Sequence, residues 1–471
     1  MLCEFLTKSD SKKLIVIFAG WSTDASFYSH ITLPGWDTLI VSGYSDLDFP
    51  VECLSGYTTV ALFAWSLGVY AASQCFPFEK ASISVAINGT EHPVDDSLGI
   101  PENIFTGTAN SLNERNLTKF RRRMSGKLYA RIADKFPSLP IEDLKSQLFF
   151  INGHYRHFAS DERSYWNRVY ISKEDMIFPP STQRKAWEIH NSHPQIIEVD
   201  APHYIDLLHI IKAALPRHEA VGKRFEKAMP TYSEAASPQK TISSHLIQLL
   251  KEYAKSSSRN NITNKNNESN LSFDKVLEIG PGTGFLTRRF AEHFHPKSID
   301  FVELFKTDKF NAAPVENYFE ANAESWIADA ANDAPQAYDA IISASAMQWF
   351  VNPREFFCNA AAVLKPGGIL LCSTFLPGNL EELTAVNPYG LVYHSTEHLR
   401  NLLPEDLKVM TMEEDSLTIT FASPRELLAH LIKTGVGGSS KSTLPVSDLL
   451  RKLPTALTYR PLYILAQKLH N

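Results

Sequence analysis

The sequence feature that most constrains the fold is a glycine-rich turn in the second half of the chain, within Val276–Phe285 (VLEIGPGTGF). A short apolar run leads into this turn, and a helical pattern follows it. Glycine permits positive φ and lets the backbone approach a ligand that side chains would exclude. A strand that enters such a turn and continues as a helix predicts a cofactor site at the edge of a parallel sheet.

The acidic residue before the first glycine, Glu278, narrows the choice of ligand. The pyrophosphate of a dinucleotide would sit at the helix N-terminus, where a neighbouring carboxylate would repel it. A carboxylate suits instead a cofactor with an ammonium or sulfonium group. The turn, with Gly280, Gly282 and Gly284, resembles the first motif of the class I S-adenosylmethionine-dependent methyltransferases. An NAD-type Rossmann domain is the alternative for this half of the chain.

Three further residues stand where that family contacts its cofactor. The resemblance implies that Glu303, at the end of the next strand, accepts hydrogen bonds from the ribose hydroxyls. It also implies that Asn322 and Ala323, which follow a third short strand, contact the adenine. The family usually has Asp at the position of Asn322. The implied fold is a Rossmann-like α/β domain, and the implied cofactor is S-adenosyl-L-methionine.

Several blocks outside these motifs resemble the malonyl-acyl-carrier-protein O-methyltransferases of biotin synthesis, over about residues 220–468. These blocks are Phe225–Gln239, Gln348–Trp349, Ser373–Leu383, the string HLIKTGVGG and Leu457–Tyr459. The resemblance implies malonyl carrier protein as the substrate, and a methyltransferase for another small acid is the alternative. Because a malonyl carboxylate is already ionised at neutral pH, it needs no general base. We expect Tyr232, Gln348 and Trp349 to line its site.

The first half carries its own strand–turn–helix pattern, at Phe63–Gly68 (FAWSLG). Ser66 occupies the nucleophile position of the G-x-S-x-G elbow, with Ala64 in place of the first glycine. Asp175 and His203 each follow a later strand-like run. The chain order Ser, Asp, His is that of the α/β-hydrolases and not that of the chymotrypsin or subtilisin types. The order therefore predicts a Ser–His–Asp triad on an α/β-hydrolase fold.

Backbone amides of Trp21 and Leu67 are the expected oxyanion hole of this triad. Further blocks resemble the BioG family of pimeloyl-acyl-carrier-protein methyl ester esterases over about residues 2–213. These blocks are Asn88–Pro93, Gly99–Pro101, Phe105–Thr108 and Lys119–Met124. The resemblance implies hydrolysis of the methyl ester of pimeloyl carrier protein. A hydrolase-like module that only docks the carrier protein is the alternative.

The densest basic run of the chain lies in the same half and comprises Lys119, Arg121, Arg122 and Arg123. We interpret it as a docking surface for an acidic carrier protein, with a merely solvated helix face as the alternative. The surrounding segment has helical periodicity and is expected to supply the apolar lining of the ester site. Phe105, Phe120 and Met124 are the candidates for that lining.

The length of 471 residues favours two domains. We predict an α/β-hydrolase domain at 1–216, with a helical insertion at about 95–164 that caps it. A class I methyltransferase domain is predicted at 217–471, with a flexible Ser- and Asn-rich loop at about 255–272. The two resemblances together predict a bifunctional enzyme of biotin synthesis whose partner is an acyl carrier protein bearing malonyl or pimeloyl methyl ester.

Charge and composition exclude several other classes of function. The net charge of −6 gives no argument for nucleic-acid binding, and no apolar run is long enough to predict a membrane span. The N-terminus lacks the pattern of a signal peptide. Five cysteines without CxxC spacing predict neither disulfides nor a metal site. These features together predict a cytoplasmic protein.

Overall fold

The computed structural model divides the chain into two compact units, Met1–Lys212 and Ala213–Asn471. The structure describes residues 1–157, 164–216, 218–260, 271–307, 316–436 and 446–470. Within these ranges, each unit contains a seven-stranded sheet packed with helices. The predicted mixed α/β architecture is therefore confirmed, whereas the α/β-hydrolase fold of the first half and the predicted domain boundaries stay predictions.

The first unit is built on a sheet whose central strands are buried apolar runs. Its strands are β1 (Leu2–Thr7), β2 (Lys13–Phe18), β3 (Asp37–Ser42), β4 (Thr59–Trp65), β5 (Ala81–Ile87), β6 (Arg168–Ser172) and β7 (Gln195–Val199). Its helices are α1 (Leu67–Cys75), α2 (Glu102–Asn110), α3 (Glu114–Ser125), α4 (Tyr129–Ile132), α5 (Ile141–His157), α6 (Pro180–Glu188) and α7 (Leu207–Ala214).

The strand order of this sheet is β1-β3-β2-β4-β5-β6-β7. Only β1 runs antiparallel to its neighbour, and the other described pairs are parallel. Parallel strands place their carboxyl ends at one edge, so the segments after β4, β6 and β7 meet there. Helices α2 to α5 come between β5 and β6, in the segment where the sequence predicts a helical insertion.

The second unit begins with two long helices and continues with alternating strands and helices. Its helices are α8 (His218–Ala235), α9 (Ser237–Asn260), α10 (Phe285–Phe294), α11 (Ala323–Asp333), α12 (Pro353–Val363), α13 (Thr396–Leu402), α14 (Pro424–Thr434) and α15 (Val446–Lys452). Its strands are β8 (Lys275–Ile279), β9 (Ser298–Glu303), β10 (Asn317–Glu320), β11 (Tyr338–Ser343), β12 (Leu364–Phe375), β13 (Leu407–Glu414), β14 (Leu417–Thr420), β15 (Ala456–Tyr459) and β16 (Pro461–Lys468).

The main sheet of this unit has the order β10-β9-β8-β11-β12-β16-β13, and β14 pairs with β15 separately. Strands β8 to β12 are parallel, and β16 and β13 run antiparallel to their neighbours. Successive residues of β8 point to opposite faces. Val276 packs in the core that includes α9 and α10, whereas Leu277 packs in the core that includes α11 and α12.

One local prediction for the second unit needs correction. Helix α9 extends to Asn260, so the start of the predicted flexible loop at 255–272 is helical. The part of that loop at 261–270 lies outside the described residues. Residues 364–368 form the first part of β12, which contains a register shift and Gly367 with φ of 79°.

Candidate functional sites

The turn between β4 and α1 holds Ser66 in an unusual backbone conformation. Its φ of 60° and ψ of −129° lie outside the regions that L-residues ordinarily adopt. The turn packs closely against β2: a Cβ at position 68 would lie 2.3 Å from the carbonyl oxygen of Phe18, so this position requires Gly68. Strain of this kind, at a serine between a strand and a helix, is typical of a nucleophile elbow.

The structure brings Ser66 together with Asp175 and His203 at the carboxyl edge of the sheet. Nε2 of His203 lies 2.9 Å from Oγ of Ser66. Nδ1 of His203 lies 2.8 Å from Oδ2 of Asp175. All three side chains are buried. The arrangement links a hydroxyl, an imidazole and a carboxylate in one chain of hydrogen bonds, so the imidazole is in position to accept the hydroxyl proton.

Further residues hold the backbone of His203 and the carboxylate of Asp175 in place. The carbonyl of His203 accepts hydrogen bonds from the indole of Trp65 at 3.0 Å and from the side chain of Asn88 at 2.7 Å. The amide of Gln183 donates to Oδ2 of Asp175 at 3.0 Å. Asn88 directly follows β5 and belongs to the block Asn88–Pro93 that resembles the BioG family, but the resemblance alone assigns it no role.

A cavity opens beside Ser66 and has mainly apolar walls. Trp21 and Leu67, the residues expected to supply the oxyanion hole, both line it. Phe105 and Phe120, two of the predicted lining residues, line it as well. Met124, the third, is buried in the protein core and does not belong to the described lining.

The basic run on α3 is divided between two environments. Lys119, Arg122 and Arg123 are exposed, and Arg123 lines the cavity beside Ser66. Arg121 is half-buried, and its guanidinium donates to the backbone carbonyls of Ser22 and Pro137. Because these bonds commit Arg121 to the protein interior, its assignment to a docking surface needs correction.

In the second unit, the glycine-rich turn connects β8 to α10 as expected. Gly280, Gly282 and Gly284 have φ of 67°, 51° and 76°, so each uses the left-handed region that favours glycine. The turn borders a cavity of this unit. Glu278, Glu303, Asn322 and Ala323 line that same cavity.

Two carboxyl groups dominate the electrostatics of this cavity. Glu278 is 1% exposed, and its Oε2 has no hydrogen-bond partner. Burial raises the pKa of Glu278 to about 8. Glu303 accepts from the backbone amides of Leu304 at 2.9 Å and Gly282 at 3.2 Å. Burial nevertheless raises the pKa of Glu303 to about 7. The site is built to receive a ligand that favours the ionised carboxylates.

Asn322 has a second function that the sequence did not reveal. Its Oδ1 accepts from the amide of Ser325 at 3.1 Å and caps α11. Its Nδ2 lies 2.8 Å from Nδ1 of His218, and Nε2 of that histidine lies 3.0 Å from the carbonyl oxygen of Trp349. His218, which no motif indicated, therefore connects Asn322 with Trp349, and all three residues line the cavity.

The three residues predicted to line the methyl-acceptor site do not all do so. Tyr232 and Trp349 line the cavity, and the ring of Phe225 lies between them, 6.3 Å and 5.7 Å from their ring centres. Gln348 is not part of the described lining. Its amide donates to the carbonyl of Ser345 at 2.6 Å. The prediction for Gln348 is therefore corrected.

Sequence comparisons agree with this division into two units. A sequence model of the family "Pimeloyl-ACP methyl esterase BioG" matches residues 1–211, and one of the family "Methyltransferase domain" matches residues 239–413. A malonyl-(acyl-carrier protein) O-methyltransferase from Bacteroides fragilis is 33% identical over 97% of this chain and 93% of its own length. This chain belongs to the malonyl-(acyl-carrier protein) O-methyltransferase family, with a BioG domain at its N-terminus.

Two further similar proteins each match about one half of the chain. A malonyl-(acyl-carrier protein) O-methyltransferase from Porphyromonas gingivalis is 34% identical over 53% of this chain and 95% of its own length. The crystal structure of BioG from Haemophilus influenzae is 32% identical, covers 44% of this chain and 94% of its own, and gives a TM-score of 0.40. Within the described residues, no helix is long and apolar enough to cross a membrane.

The cofactor of this family is S-adenosyl-L-methionine, which supplies a methyl group. The residues of the cavity fit it. The unpartnered, buried Oε2 of Glu278 calls for a cationic or donor group that the protein itself does not supply. Glu303 keeps acceptor capacity beyond its two backbone bonds, as hydroxyl recognition requires. We expect these two residues, with the turn glycines, Asn322 and Ala323, to hold the cofactor.

Cofactor affinity is expected to rise with pH between about pH 6 and 7.5. The raised pKa values keep both carboxyl groups largely protonated at the lower pH, whereas the bound cofactor favours their ionised forms. Each proton released on binding contributes about a tenfold gain in affinity per pH unit. Calorimetry across this range measures the slope. In the Glu278→Gln variant this side chain cannot ionise, so cofactor binding should release one proton fewer and the slope of affinity against pH should be smaller. An unchanged slope would contradict the assignment of Glu278 to cofactor binding.

Proposed function

We propose that the chain is a bifunctional enzyme of biotin synthesis. Its second unit methylates the free carboxylate of malonyl carrier protein, and its first unit hydrolyses the methyl ester of pimeloyl carrier protein. The observation that carries the proposed ester hydrolysis is the hydrogen-bonded set of Ser66, His203 and Asp175 at the strained turn after β4. The match of residues 1–211 to the BioG family supports the choice of ester.

The esterase step uses the three residues in separate roles. Ser66 attacks the ester carbonyl while Nε2 of His203 takes its proton, and the same proton then passes to the departing methoxide. Asp175 fixes the imidazole tautomer and stabilises the imidazolium. Backbone amides of Trp21 and Leu67 stabilise the negative charge on the carbonyl oxygen. Water then releases the free carboxylate from Ser66 by the same route.

The methyl-transfer step asks less of the protein. The malonyl carboxylate is ionised at neutral pH and is itself the nucleophile. Tyr232, Phe225 and Trp349 form an aromatic wall that removes water from this carboxylate and holds it against the methyl group. Alignment and desolvation therefore supply the rate enhancement.

The two activities complement each other chemically. Burying a charged malonyl end in the apolar pockets of chain-elongating enzymes would cost several kcal/mol. A methyl ester removes that charge during elongation, and the esterase restores the carboxylate afterwards. The intact triad favours this proposal over a first unit that only docks the carrier protein.

Two assays on the full chain test the proposal. Malonyl carrier protein incubated with S-adenosyl-L-methionine should gain the mass of one methylene group. Pimeloyl methyl ester carrier protein should lose the same mass without the cofactor. A methyltransferase for another small acid would leave malonyl carrier protein unmodified. A first unit that only docks the carrier would leave the ester intact.

Reversing two exposed charges on α3 should weaken recognition of the carrier-bound ester. The Lys119→Glu/Arg122→Glu variant, which changes no residue of the described cavity lining, replaces attraction of an acidic carrier by repulsion, so its KM should rise about tenfold. High salt should reduce the difference from wild type. A free short-chain ester should be hydrolysed at nearly the wild-type rate. Lys185→Glu/Lys212→Glu, which makes the same change in net charge elsewhere, is the control. Equal losses on both substrates would contradict a docking role.

A further inference from the structure

The turn that carries Trp21 is held in a conformation that its own sequence disfavours. The amide of Thr23 donates to the carbonyl of Gly20 at 3.3 Å, which makes Gly20–Thr23 a β-turn. Its third residue, Ser22, has φ of 66°. A positive φ at this position belongs to a type II turn, which favours glycine there. The hydroxyl of Ser22 is buried without a hydrogen-bond partner and so does not stabilise the turn.

Contacts from the helical segment hold this turn from outside. A nitrogen of the Arg121 guanidinium donates to the carbonyl of Ser22 at 3.3 Å and to that of Pro137 at 2.8 Å. The same guanidinium lies over the ring of Phe136, 4.8 Å from its centre. The indole of Trp21 donates to the carbonyl of Leu144 at 3.0 Å. Within the turn, the hydroxyl of Thr23 donates to the carbonyl of Gly20 at 2.6 Å. Groups that lie about a hundred residues further along the chain add to this local bond and hold Trp21 and Ser22.

We propose that Arg121 is a positioning residue for the oxyanion hole of the esterase. The inference rests on the proposed ester hydrolysis, in which the backbone amide of Trp21 is a donor. Relaxation of Ser22 to negative φ would flip the peptide between Trp21 and Ser22 and shift the neighbouring amide. The hydrogen bond from Arg121 to the carbonyl of Ser22 opposes that relaxation. Arg121 thus acts on the reaction through Trp21 and not through the carrier protein.

Separate measurement of kcat and KM for variants of Arg121 tests this proposal. Displacing one oxyanion donor is expected to lower kcat by at least about tenfold, because loss of such a donor costs about 10²–10³-fold. Arg121→Ala should therefore lose kcat on carrier-bound and free esters alike, with KM nearly unchanged. Arg121→Lys, which keeps a donor, should recover part of the loss. Arg115→Ala, an exposed arginine change on the same helix, is the control.

A glycine at position 22 gives the sharper test. Ser22→Gly adopts φ of 66° without steric cost and removes no hydrogen bond of the serine side chain. In this background, the loss of kcat caused by Arg121→Ala should shrink several-fold. The four proteins form a double-mutant cycle in which the two positions are coupled. An alkyl boronic acid, whose tetrahedral adduct with serine needs the oxyanion hole, should show the same pattern in its inhibition constant.

Three results would overturn the proposal. The first is an Arg121→Ala effect confined to KM for carrier-bound ester, which would mean docking. The second is an equal loss with Ser22 and with Gly at position 22, which would mean general destabilisation. The third is unchanged boronic acid inhibition. Failure of the proposed esterase function is distinguishable, because the wild-type chain would then hydrolyse none of these esters.

Discussion

The Ser66→Ala variant is expected to lose ester hydrolysis by at least about 10³-fold in kcat while methyl transfer by the same chain continues. The loss follows from the missing nucleophile, since water held by the remaining groups reacts far more slowly. Methyl transfer should continue because its cavity belongs to a different compact unit with its own core. Both rates are measured on one preparation, with carrier-bound pimeloyl methyl ester and with malonyl carrier protein.

A matched serine variant separates chemistry from folding. Ser73 lies on the helix that follows Ser66, is also buried, and donates to the carbonyl of Tyr70 at 2.8 Å. Ser73→Ala should lower stability slightly and leave ester hydrolysis close to wild type. If Ser66→Ala retained hydrolysis within about tenfold of wild type, Ser66 would not be the nucleophile. Equal losses in both variants would indicate damage to the fold.

Local sequence patterns predicted the parts of both sites that depend on chain direction. Ser66, Asp175 and His203 each follow a strand. Because the carboxyl ends of parallel strands lie at one edge of a sheet, the sequence alone predicts that these residues lie close together. The three glycines of the cofactor turn are similarly informative. Each has a positive φ, which few residues other than glycine adopt readily. Each of these features is encoded in a short stretch of consecutive residues.

Contacts between distant segments could not be predicted in the same way. His218 reaches Asn322 across about a hundred residues, yet it has no local sequence signature. Arg121 is read as part of a basic run, although packing against Phe136 turns it inward. Charge in a sequence does not say which side of a helix faces solvent when both faces have polar partners.

The predicted end of α9 was wrong for a related reason. The serine-rich end of α9 was predicted as loop, because Ser and Asn favour turns over helix interiors. The helix continues to Asn260 from a first part that is anchored by Ile242, Leu246 and Leu250 in the core beneath it. Once those residues are buried, adding further residues costs little, because helix propagation is much easier than nucleation.

Discrimination between two methyl esters is the requirement that the proposed fusion must meet. If the first unit cleaved malonyl methyl ester as fast as pimeloyl methyl ester, the chain would undo its own methylation. The substrates differ by about four methylene groups, each contributing roughly 0.8 kcal/mol when buried. The cavity beside Ser66 offers apolar surface for them, from Ile100, Ile104, Phe105, Phe120 and Leu148. Burial of the longer chain therefore yields about 3 kcal/mol, or a preference on the order of 200-fold in kcat/KM.

Direct competition between the two methyl esters on the same carrier protein measures this preference. Ile104→Ala should lower it, because the variant removes apolar surface from the cavity wall while the triad and the carrier remain the same. Ile189→Ala removes the same atoms from an exposed isoleucine that does not belong to the described cavity lining, and should leave the preference unchanged. A wild-type preference below about fivefold would rule out selection by chain burial. The malonyl ester would then have to escape hydrolysis through its short lifetime or through transfer to another enzyme, since the esterase itself would not distinguish it.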